Sequence, residues 1–319
     1  MHNHRQIDLS LGLKNTHVLV TGGNGAIGQV IVDAFLQAGA RVSVFELVLR
    51  HEKHSSSQVL TQLPTPTTTP PIMSTSPVSS STSSSDPMPP ILLEFENDQP
   101  PSEQFMEYRV DVSQPEQLAR GFALASAHFG LIQVCVTCAA QDLSYLTHHT
   151  SLIDLPFSQW QQTFNVNVHG TFLTAREWLR QVRDGADQNT KNLSLVVIGS
   201  ESGRFGELGN ADYASGKSAV QYGLVNSLVK DIVQIHPRAR INAVAPGPVD
   251  TEKFHEECAM NPNQYYEDCQ ATTAMKRPTS IQGVAKTVLF LASENWSGDI
   301  TGQVINVDGG KNGKLFWND

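Results

Sequence analysis

The sequence predicts an α/β fold: a doubly wound parallel sheet with helices on both faces, giving three layers. Two observations carry this prediction. Short apolar runs of strand length alternate with longer segments in which apolar residues recur at helical spacing. The first strand is followed by a glycine-rich turn, residues 21–28, that opens a helix. Ligands of such a sheet bind over the carboxyl ends of its strands.

The elements of the N-terminal half follow from these two periodicities. Continuous apolar runs indicate strands buried on both faces of a parallel sheet. Apolar residues at spacings of three and four indicate amphipathic helices, and Gly39 marks the end of the first one. The predicted strands cover residues 17–21, 41–46, 107–112 and 132–137, and the predicted helices cover 29–38 and 115–129.

The C-terminal half continues the alternation of strand and helix. The predicted strands cover residues 193–198, 240–244 and 304–307, and the predicted helices cover 158–183 and 213–236. Each of these two long helices presents a broader apolar stripe than one sheet needs as cover. This surplus predicts that the protein associates with further copies of itself.

Residues 51–104, between the second and third predicted strands, differ in composition from the rest. From Ser55 to Pro90, 26 of 36 residues are Ser, Thr or Pro, and Asp86 is the only charged residue. Such a stretch buries too little apolar surface to offset the entropy lost on ordering it. We therefore expect one catalytic domain over residues 1–319 that carries a disordered surface-loop insertion, either a passive spacer or a segment regulated by phosphorylation.

Composition excludes several classes of protein. The formal net charge is -9 and no basic stripe is present, so we expect no nucleic-acid partner. No apolar run reaches the roughly 18 residues of a membrane span, and the N-terminus lacks the apolar core of a signal peptide, so a soluble, cytoplasmic protein is expected. Four cysteines in a chain of 319 residues fit reduced thiols, and we expect no metal site.

Tyr213 and Lys217 carry the first chemical signal. Positions four apart share one face of a helix, so the ammonium can lie beside the phenol. A neighbouring positive charge is expected to lower the pKa of the phenol from its usual value of about 10. A phenol tuned in this way exchanges protons near neutral pH, which indicates hydride-transfer chemistry when a dinucleotide turn is also present.

The glycine turn and Glu46 carry the second signal. Between a strand and a helix, the turn can hold a pyrophosphate on the N–H groups of the helix N-terminus. Glu46 ends the second predicted strand, where a carboxylate can bind ribose hydroxyls. It would repel the 2′-phosphate of NADP, and no Arg or Lys occupies the turn or the position after Glu46. NAD is therefore expected, with NADP as the alternative.

Further motifs follow in a fixed order along the chain. They are Thr21-Gly22 to Ile27-Gly28, Asp111-Val112, Asn167 with Gly170, Ser200-x-x-Gly203, Tyr213-x-x-x-Lys217, Asn242-Ala243-Val244-Ala245-Pro246-Gly247-Pro248-Val249-Asp250-Thr251, Thr301-Gly302-Gln303 and Val307-Asp308-Gly309-Gly310. In this order and spacing they closely resemble the short-chain dehydrogenase/reductases in their single-domain form, with a Rossmann-like sheet. The resemblance covers nearly the whole chain except the insertion and the extreme ends.

The resemblance implies an oxidoreductase with four catalytic residues. Ser200, thirteen residues before Tyr213, would hydrogen-bond the substrate oxygen while Tyr213 transfers the proton. Lys217 would hold the nicotinamide ribose and favour tyrosinate. The backbone carbonyl of Asn167 would position a water that leads protons to solvent. Hydride would pass between nicotinamide and the substrate carbon, with stabilisation of the developing oxyanion as the main contribution of the protein.

The resemblance also implies a cofactor site made of a phosphate turn, an adenine pocket and a carboxamide contact. Its expected residues are Gly22, Asn24, Ala26, Ile27, Gly28, Glu46, Asp111, Val112, Cys138, Ala139, Tyr213, Lys217, Pro246, Gly247, Val249 and Thr251. The chain departs from the family pattern twice. Ala26 replaces the middle glycine, and residues 137–140 read Thr-Cys-Ala-Ala where the family usually has Asn-Asn-Ala-Gly.

The substrate is expected to be a secondary alcohol or ketone, and three loops are expected to determine its identity. Residues 141–157 and 201–212 are polar and favour a polyol, sugar or other polar metabolite, whereas residues 250–278 resemble the mobile lid of the family. One alternative is an NADPH-dependent 3-oxoacyl or secondary-metabolite ketoreductase. Another is a dinucleotide-sensing regulator without turnover, against which the intact Ser200, Tyr213 and Lys217 set argues. The family implies a homodimer or homotetramer.

Overall fold

The structure, a computed structural model, describes residues 7–50, 103–143 and 151–313 and is built on one sheet of seven parallel strands. The strands are β1 (His17–Thr21), β2 (Arg41–Glu46), β3 (Phe105–Arg109), β4 (Val134–Thr137), β5 (Ser194–Ile198), β6 (Arg240–Pro246) and β7 (Val304–Val307). Their order across the sheet is β3-β2-β1-β4-β5-β6-β7, so the winding reverses between β1 and β4. This arrangement confirms the predicted doubly wound α/β fold.

The five central strands are apolar because both of their faces are buried. All residues of β1, β4, β5 and β6 are buried, as are the four middle residues of β2. The register aligns Thr21 at the end of β1 with Phe45 on one side and Thr137 on the other. The carboxyl ends of these strands therefore meet at one edge of the sheet.

Helices cover the sheet on both faces. The α-helices are Ala26–Gln37, Pro115–Phe129, Phe157–Phe164, Thr171–Gly185, Ser202–Phe205, Ala211–Ser218, Val225–Ile235, Glu252–Met260, Ile281–Ala292 and Glu294–Ser297. Ala26–Gln37 and Ile281–Ala292 pack on one face with their buried Phe35 and Val288. Pro115–Phe129, Thr171–Gly185 and Val225–Ile235 pack on the other, around the fully buried Trp178.

Both long helices of the C-terminal half differ from the prediction. Each is interrupted by a π-helical turn, Asn165–Gly170 in the first and Ala219–Leu224 in the second. Apolar spacings of three and four residues predict a helix, but they do not distinguish a regular helix from one that contains a short π-helical turn. Turns of this kind occur often at functional sites.

Other boundaries also differ from the prediction. β3 begins two residues earlier and ends three residues earlier than the predicted strand 107–112, and the first helix begins at Ala26 rather than at residue 29. The helix Ile281–Ala292 was not predicted, although Ser280 caps its N-terminus by accepting a hydrogen bond from the Gly283 N–H at 3.1 Å. The insertion predicted at 51–104 lies, apart from its last two residues, outside the described residues.

Within residues 7–50, 103–143 and 151–313, no helix is both long and apolar enough to cross a membrane.

Arg240 provides a test of the packing at the amino end of β6. Its buried guanidinium donates hydrogen bonds to the Leu291 and Ser297 carbonyls and to Ser297 Oγ, at 2.8 to 3.0 Å, at the end of the helix Ile281–Ala292. Arg240→Met leaves these buried acceptors without a donor, so we expect the free energy of unfolding to fall by about 2–4 kcal/mol in urea titrations. The exposed Arg183→Met is the matched control, expected to change it by less than about 0.5 kcal/mol. Equal effects of the two substitutions would contradict this account.

Candidate active site

The glycine turn after β1 can exist only with glycine at two positions. Gly22 has a positive φ of 68°, and a Cβ there would lie 2.6 Å from the Ala139 Cα. A Cβ on Gly28 would lie 2.2 Å from the Gly22 carbonyl oxygen. Because both contacts are with backbone, no side-chain movement could relieve them, and the turn is held tightly against the loop after β4.

This turn leaves three donors at the start of the helix Ala26–Gln37. The N–H groups of Ala26, Ile27 and Gly28 find no hydrogen-bond partner within the part of the chain that the structure describes, whereas the next N–H, of Gln29, bonds the Gly25 carbonyl at 2.9 Å. Ala26 is exposed, so its methyl group adds no burden to the fold. Adjacent N–H groups at a helix N-terminus suit an anionic phosphate, so the residues present fit a pyrophosphate.

Glu46 lies at the end of β2 beside this turn. Its carboxylate accepts hydrogen bonds from the Asn24 N–H at 3.1 Å and from the Leu47 N–H at 3.0 Å. The sheet register also pairs Glu46 with Arg109 of β3, whose guanidinium donates to the Leu47 carbonyl at 3.1 Å. Arg109 is distant from Glu46 in the sequence, and only the pairing of β2 with β3 brings the two residues together.

The loop after β4 is fastened to β1 by a threonine. Thr21 Oγ1 accepts hydrogen bonds from the N–H groups of Cys138 and Ala139, each at 3.2 Å. This bond supports the loop where the family pattern has asparagines. Burial raises the pKa of the Cys138 thiol to about 11, with a smaller opposing effect of Lys217. The thiol is thus neutral at physiological pH.

Asp111 and Val112 lie after β3, on the far side of Glu46. The Asp111 carboxylate accepts hydrogen bonds from Ser113 Oγ at 2.7 Å and from the Ser113 N–H at 2.9 Å. Together with Leu47 and Gln141, Asp111 lines a polar cleft open to solvent. The side chain of Val112 packs against Gly170, where a Cβ would lie 2.7 Å from Val112 Cγ2.

The last group of expected cofactor residues follows β6. Gly247 approaches Asp308 so closely that a Cβ would lie 2.9 Å from the Asp308 Cα, and Pro246 ends the strand. Val249 pairs with Thr279 in an isolated parallel bridge. Thr251 caps the helix Glu252–Met260 by accepting a hydrogen bond from the Phe254 N–H at 3.1 Å.

Tyr213 and Lys217 share one face of the helix Ala211–Ser218. The Lys217 Nζ lies 5.5 Å from the centre of the Tyr213 ring and donates a hydrogen bond to the Ile198 carbonyl at 2.8 Å. Burial lowers the pKa of the Lys217 ammonium to about 8. The helix thereby brings the amine to the end of β5 without placing it on the phenolic oxygen.

The expected lowering of the Tyr213 pKa is wrong for this structure. Loss of solvation raises the pKa of the Tyr213 phenol above its usual value, and the charges of Asp142 and Glu207 add to the rise. A hydrogen bond with the Ser200 side chain opposes it. The cost of removing a phenolate from water exceeds the attraction of one ammonium, so Tyr213 is a neutral phenol at pH 7.

Ser200 stands one residue beyond the Gly199 that follows β5, within reach of Tyr213. Its N–H donates to Gln221 Oε1 at 2.8 Å, and its hydroxyl donates to Ser202 Oγ at 3.2 Å. Gln221 belongs to the π-helical turn Ala219–Leu224 and is fully buried. A Cβ on Gly199 would lie 2.2 Å from its Oε1, so the backbone before Ser200 packs directly on this amide.

Asn167 occupies the other π-helical turn. Its side-chain amide forms a two-way pair with the backbone of Gln141, with both hydrogen bonds at 2.8 Å. Its own carbonyl accepts a hydrogen bond from Thr171 Oγ1 at 2.8 Å. Asn167 therefore fixes the loop after β4, and its carbonyl already holds one donor where the family resemblance implies a water.

The side of the site away from the glycine turn is lined by acidic and amide groups. The Asn210 Nδ2 donates to Asp142 Oδ1 at 3.2 Å, and the Lys253 Nζ lies 3.9 Å from Asp142 Oδ2. Asn210 is 2% exposed, and its Oδ1 has no hydrogen-bond partner among the described residues. Because Asp142 and Glu207 both raise the pKa of Tyr213, this polar wall borders the Tyr213 phenol.

Comparisons with known proteins identify the family of the chain. A family model described as Enoyl-(Acyl carrier protein) reductase matches residues 94–312, more than half of the chain. The chain is 30% identical over 206 residues to a short-chain type dehydrogenase/reductase of Picea abies, covering 64% of this chain and 69% of that protein. The chain belongs to the short-chain dehydrogenase/reductase family. Members of this family are oxidoreductases that use a nicotinamide cofactor.

Two further matches differ in what they support. The chain is 28% identical over 206 residues to the 3-oxoacyl-[acyl-carrier-protein] reductase FabG of Thermotoga maritima, covering 64% of this chain and 75% of that one. The solved structure of ElxO with NADP bound covers 92% of this chain and 97% of its own, with a TM-score of 0.68 and 22% identity, and so supports the fold alone. The chain spans about two thirds of the length of the first curated relatives that it matches.

Sequence reasoning missed several residues that support the site. Asp212, next to Tyr213, is fully buried and accepts a hydrogen bond from Thr163 Oγ1 at 2.6 Å, which fastens the tyrosine helix to Phe157–Phe164. Gln221 and Arg109 were also missed. No local signal could have found them, because their partners are distant in sequence. For Asp212, the acidic residue in the first turn of a helix was a usable but ambiguous sign.

Gln221 offers a test of how Ser200 is held. Gln221→Met fills a similar volume but leaves the Ser200 N–H without its acceptor, so we expect kcat to fall about 10- to 100-fold through misplacement of the serine hydroxyl. Steady-state oxidoreductase assays measure this loss, and dinucleotide affinity should stay unchanged. Gln234→Met, on the exposed side of Val225–Ile235, is the matched control. An unchanged kcat in a folded Gln221→Met protein would contradict the assignment.

Proposed function

We propose that this protein is an NAD-dependent oxidoreductase that interconverts a polar secondary alcohol and its ketone. One observation carries the proposal: Ser200, Tyr213 and Lys217 converge at the sheet edge that also carries the three helix-terminal N–H donors. Proton-transfer groups and a phosphate cradle on one edge suit hydride transfer to or from a dinucleotide. Binding of a dinucleotide without turnover would not need the serine and tyrosine pair.

Each side chain has a chemical role in this proposal. The Tyr213 phenol, neutral at pH 7, gives its proton to the substrate oxygen in reduction and takes one back in oxidation. The Ser200 hydroxyl donates a second hydrogen bond to that oxygen. Lys217 would hold the ribose next to the nicotinamide, and its positive charge would stabilise the tyrosinate that remains when the phenol has given its proton away. A bound nicotinamide supplies or accepts the hydride.

The remaining cofactor contacts are assigned by the fit of the residues. Ala26, Ile27 and Gly28 would bind the pyrophosphate. Asp111 would face the adenine. Val249 and Thr251 would lie near the carboxamide, on the loop that leads to the helix Glu252–Met260.

Support for NAD comes from the fixed carboxylate of Glu46. Two backbone N–H groups hold it at the end of β2, so it cannot swing away from a 2′-phosphate. Arg109 lies on the neighbouring strand and works in the opposite direction, since a guanidinium can bind a phosphate. We assign the larger effect to Glu46, because its carboxylate bonds the glycine turn itself.

Support for a polar substrate comes from the wall formed by Asp142, Glu207 and Asn210. Hydroxyl groups can donate to carboxylates and to the amide oxygen of Asn210, which has no partner among residues 7–50, 103–143 and 151–313, as a polyol or sugar would. The alternative is a 3-oxoacyl reductase that uses NADPH, which the match to FabG favours. An apolar acyl chain would find few apolar contacts at this polar wall. A screen of cofactor reduction and oxidation over polyols, hydroxysteroids, hydroxy acids and acyl thioesters separates the two.

We also propose a homodimer or homotetramer that forms through the two long helical segments. Phe172 and Val233 keep 46% and 42% of their surface exposed on these segments, which leaves apolar surface for a second copy to cover. Light scattering on the purified protein tests this assembly.

Tyr213→Phe tests the role of the phenol. Without the hydroxyl no proton can reach the substrate oxygen from this side chain, so we expect kcat to fall about 10²- to 10⁴-fold while dinucleotide affinity is retained. Steady-state kinetics and isothermal titration calorimetry measure the two quantities. Tyr222→Phe, in the turn Ala219–Leu224, is the matched control. Turnover at the original rate in Tyr213→Phe would refute the proposed reaction.

Glu46→Gln tests the choice of cofactor. We expect the natural protein to bind NADH more tightly than NADPH, and the substitution to move the ratio of the two dissociation constants about tenfold towards NADPH, because it removes the negative charge. The amide oxygen can still accept one backbone N–H, which keeps the turn in place. Glu116→Gln, exposed on the helix Pro115–Phe129, is the control. Tighter binding of NADPH to the natural protein would overturn the assignment.

A further inference from the structure

The C-terminal segment, defined as residues 308–313, folds back on the lid segment, defined as residues 250–278. The N–H groups of Ala274 and Met275 donate to the Gly310 and Gly309 carbonyls at 3.1 and 3.0 Å. Thr273 and Lys311 form an antiparallel bridge. The end of the lid segment is therefore paired, residue by residue, with the chain that follows β7.

The side chain of Lys311 extends from this pairing to the loop that carries Ser200. Its Nζ lies 3.3 Å from Glu201 Oε1 and donates a hydrogen bond to the Asp268 carbonyl at 3.0 Å. The side chains of Lys311 and Glu201 are 11% and 14% exposed. The Lys311 ammonium thus joins three parts of the chain. They are the C-terminal segment, the π-helical turn Tyr266–Gln270 of the lid segment, and the serine loop, defined as the residues after β5 that include Ser200 and Glu201.

A second contact supports the same junction. Gly313 lies against Phe205, where a Cβ would be 2.8 Å from the ring. Phe205 ends the short helix Ser202–Phe205, which begins directly after Glu201. The C-terminal segment therefore lies along the serine loop as well as on the lid segment.

Glu201 links these contacts to the backbone of Ser200. It follows Ser200 directly, and its N–H donates to the Pro246 carbonyl at 2.8 Å. Its Oε1 faces Lys311, whereas its Oε2 is buried and has no hydrogen-bond partner among the described residues. The backbone on the Ser200 side is held by Gln221, so Lys311 and Gln221 restrain the serine from its two sides.

We propose that the contact between Lys311 and Glu201 fastens the lid segment to the serine loop, so that both residues act as positioning residues for Ser200 and for closure over the substrate. The proposal rests on the proposed function, in which Ser200 binds the substrate oxygen. Neither residue touches the reacting atoms. Their effect passes through the backbone of Ser200 and through the turn Tyr266–Gln270.

The pair also links closure to protonation. Burial raises the pKa of the Glu201 carboxyl to about 7, against a smaller lowering by Lys311, while Asp268, Cys269 and Asp308 are the other titratable groups that face it. A carboxyl that is released to solvent regains a pKa of about 4.3. The fastened state therefore binds the proton more tightly, and it loses stability relative to the released state as the pH rises from about 4.3 through about 7.

Hydrogen exchange of the full chain, without substrate, tests the fastening. For residues 266–275 of the natural protein, we expect protection factors to fall about tenfold between pH 6 and pH 8. Glu201→Gln is nearly isosteric and cannot ionise, so its protection should not vary with pH. Lys311→Met should lower protection at every pH and move the fall to higher pH, because the ammonium no longer lowers the pKa of Glu201. Lys286→Met, exposed on Ile281–Ala292, should match the natural protein.

Kinetics then tests the effect on Ser200. We expect Lys311→Met to lower kcat/KM about tenfold and Lys311→Arg to recover most of the loss. Glu201→Gln, which mimics the protonated carboxyl, should keep kcat/KM near the value of the natural protein at pH 6, whereas Glu201→Ala, which removes the contact, should lower it about as much as Lys311→Met, and the double variant Glu201→Ala/Lys311→Met should be no worse than the worse single one. Additive losses, or exchange in residues 266–275 that neither substitution changes, would overturn the proposal. If the natural protein turns over no alcohol or ketone, the proposed function fails, and hydrogen exchange alone still decides the fastening.

Discussion

The parallel register of β1 with both β2 and β4 is the constraint on which the rest of the structure depends. It brings the ends of three strands to the same height, so that the glycine turn meets Glu46 on one side and the Cys138 loop on the other. Because Gly22 approaches the backbone after β4 to within contact distance, neither loop can shift without the other. The donors at the helix N-terminus are thereby directed over the edge of the sheet, where a dinucleotide would lie.

Burial dominates the electrostatics of the site. It raises the pKa of Tyr213 and Glu201 and lowers that of Lys217, so each of these groups is shifted towards its neutral form. A neutral phenol is the correct state for giving a proton to a carbonyl oxygen. Burial also raises the pKa of the Glu207 carboxyl, which lies near Tyr213.

Two of the three π-helical turns among the described residues, Asn165–Gly170 and Ala219–Leu224, support the loops of the site. Asn167 and Gln221 each sit in such a turn, and each directs a side-chain amide to the backbone of a neighbouring loop. The added residue per turn widens the helix locally and lets a polar side chain reach inward, where a regular helix would place an apolar one. The loops after β4 and β5 are thus held by amides on the helices that cover them.

Local sequence alone determined the strands, the glycine turn and the pairing of Tyr213 with Lys217, because each depends on residues at most a few positions apart. The dinucleotide turn and the order of the motifs were likewise readable from spacing. Only the tertiary structure decided that Arg109 lies beside Glu46, that Gln221 holds Ser200, and that Lys311 reaches Glu201. It also reversed the expected shift of the Tyr213 pKa. These contacts join residues distant in the chain, and solvation depends on packing from every side, which no local pattern contains.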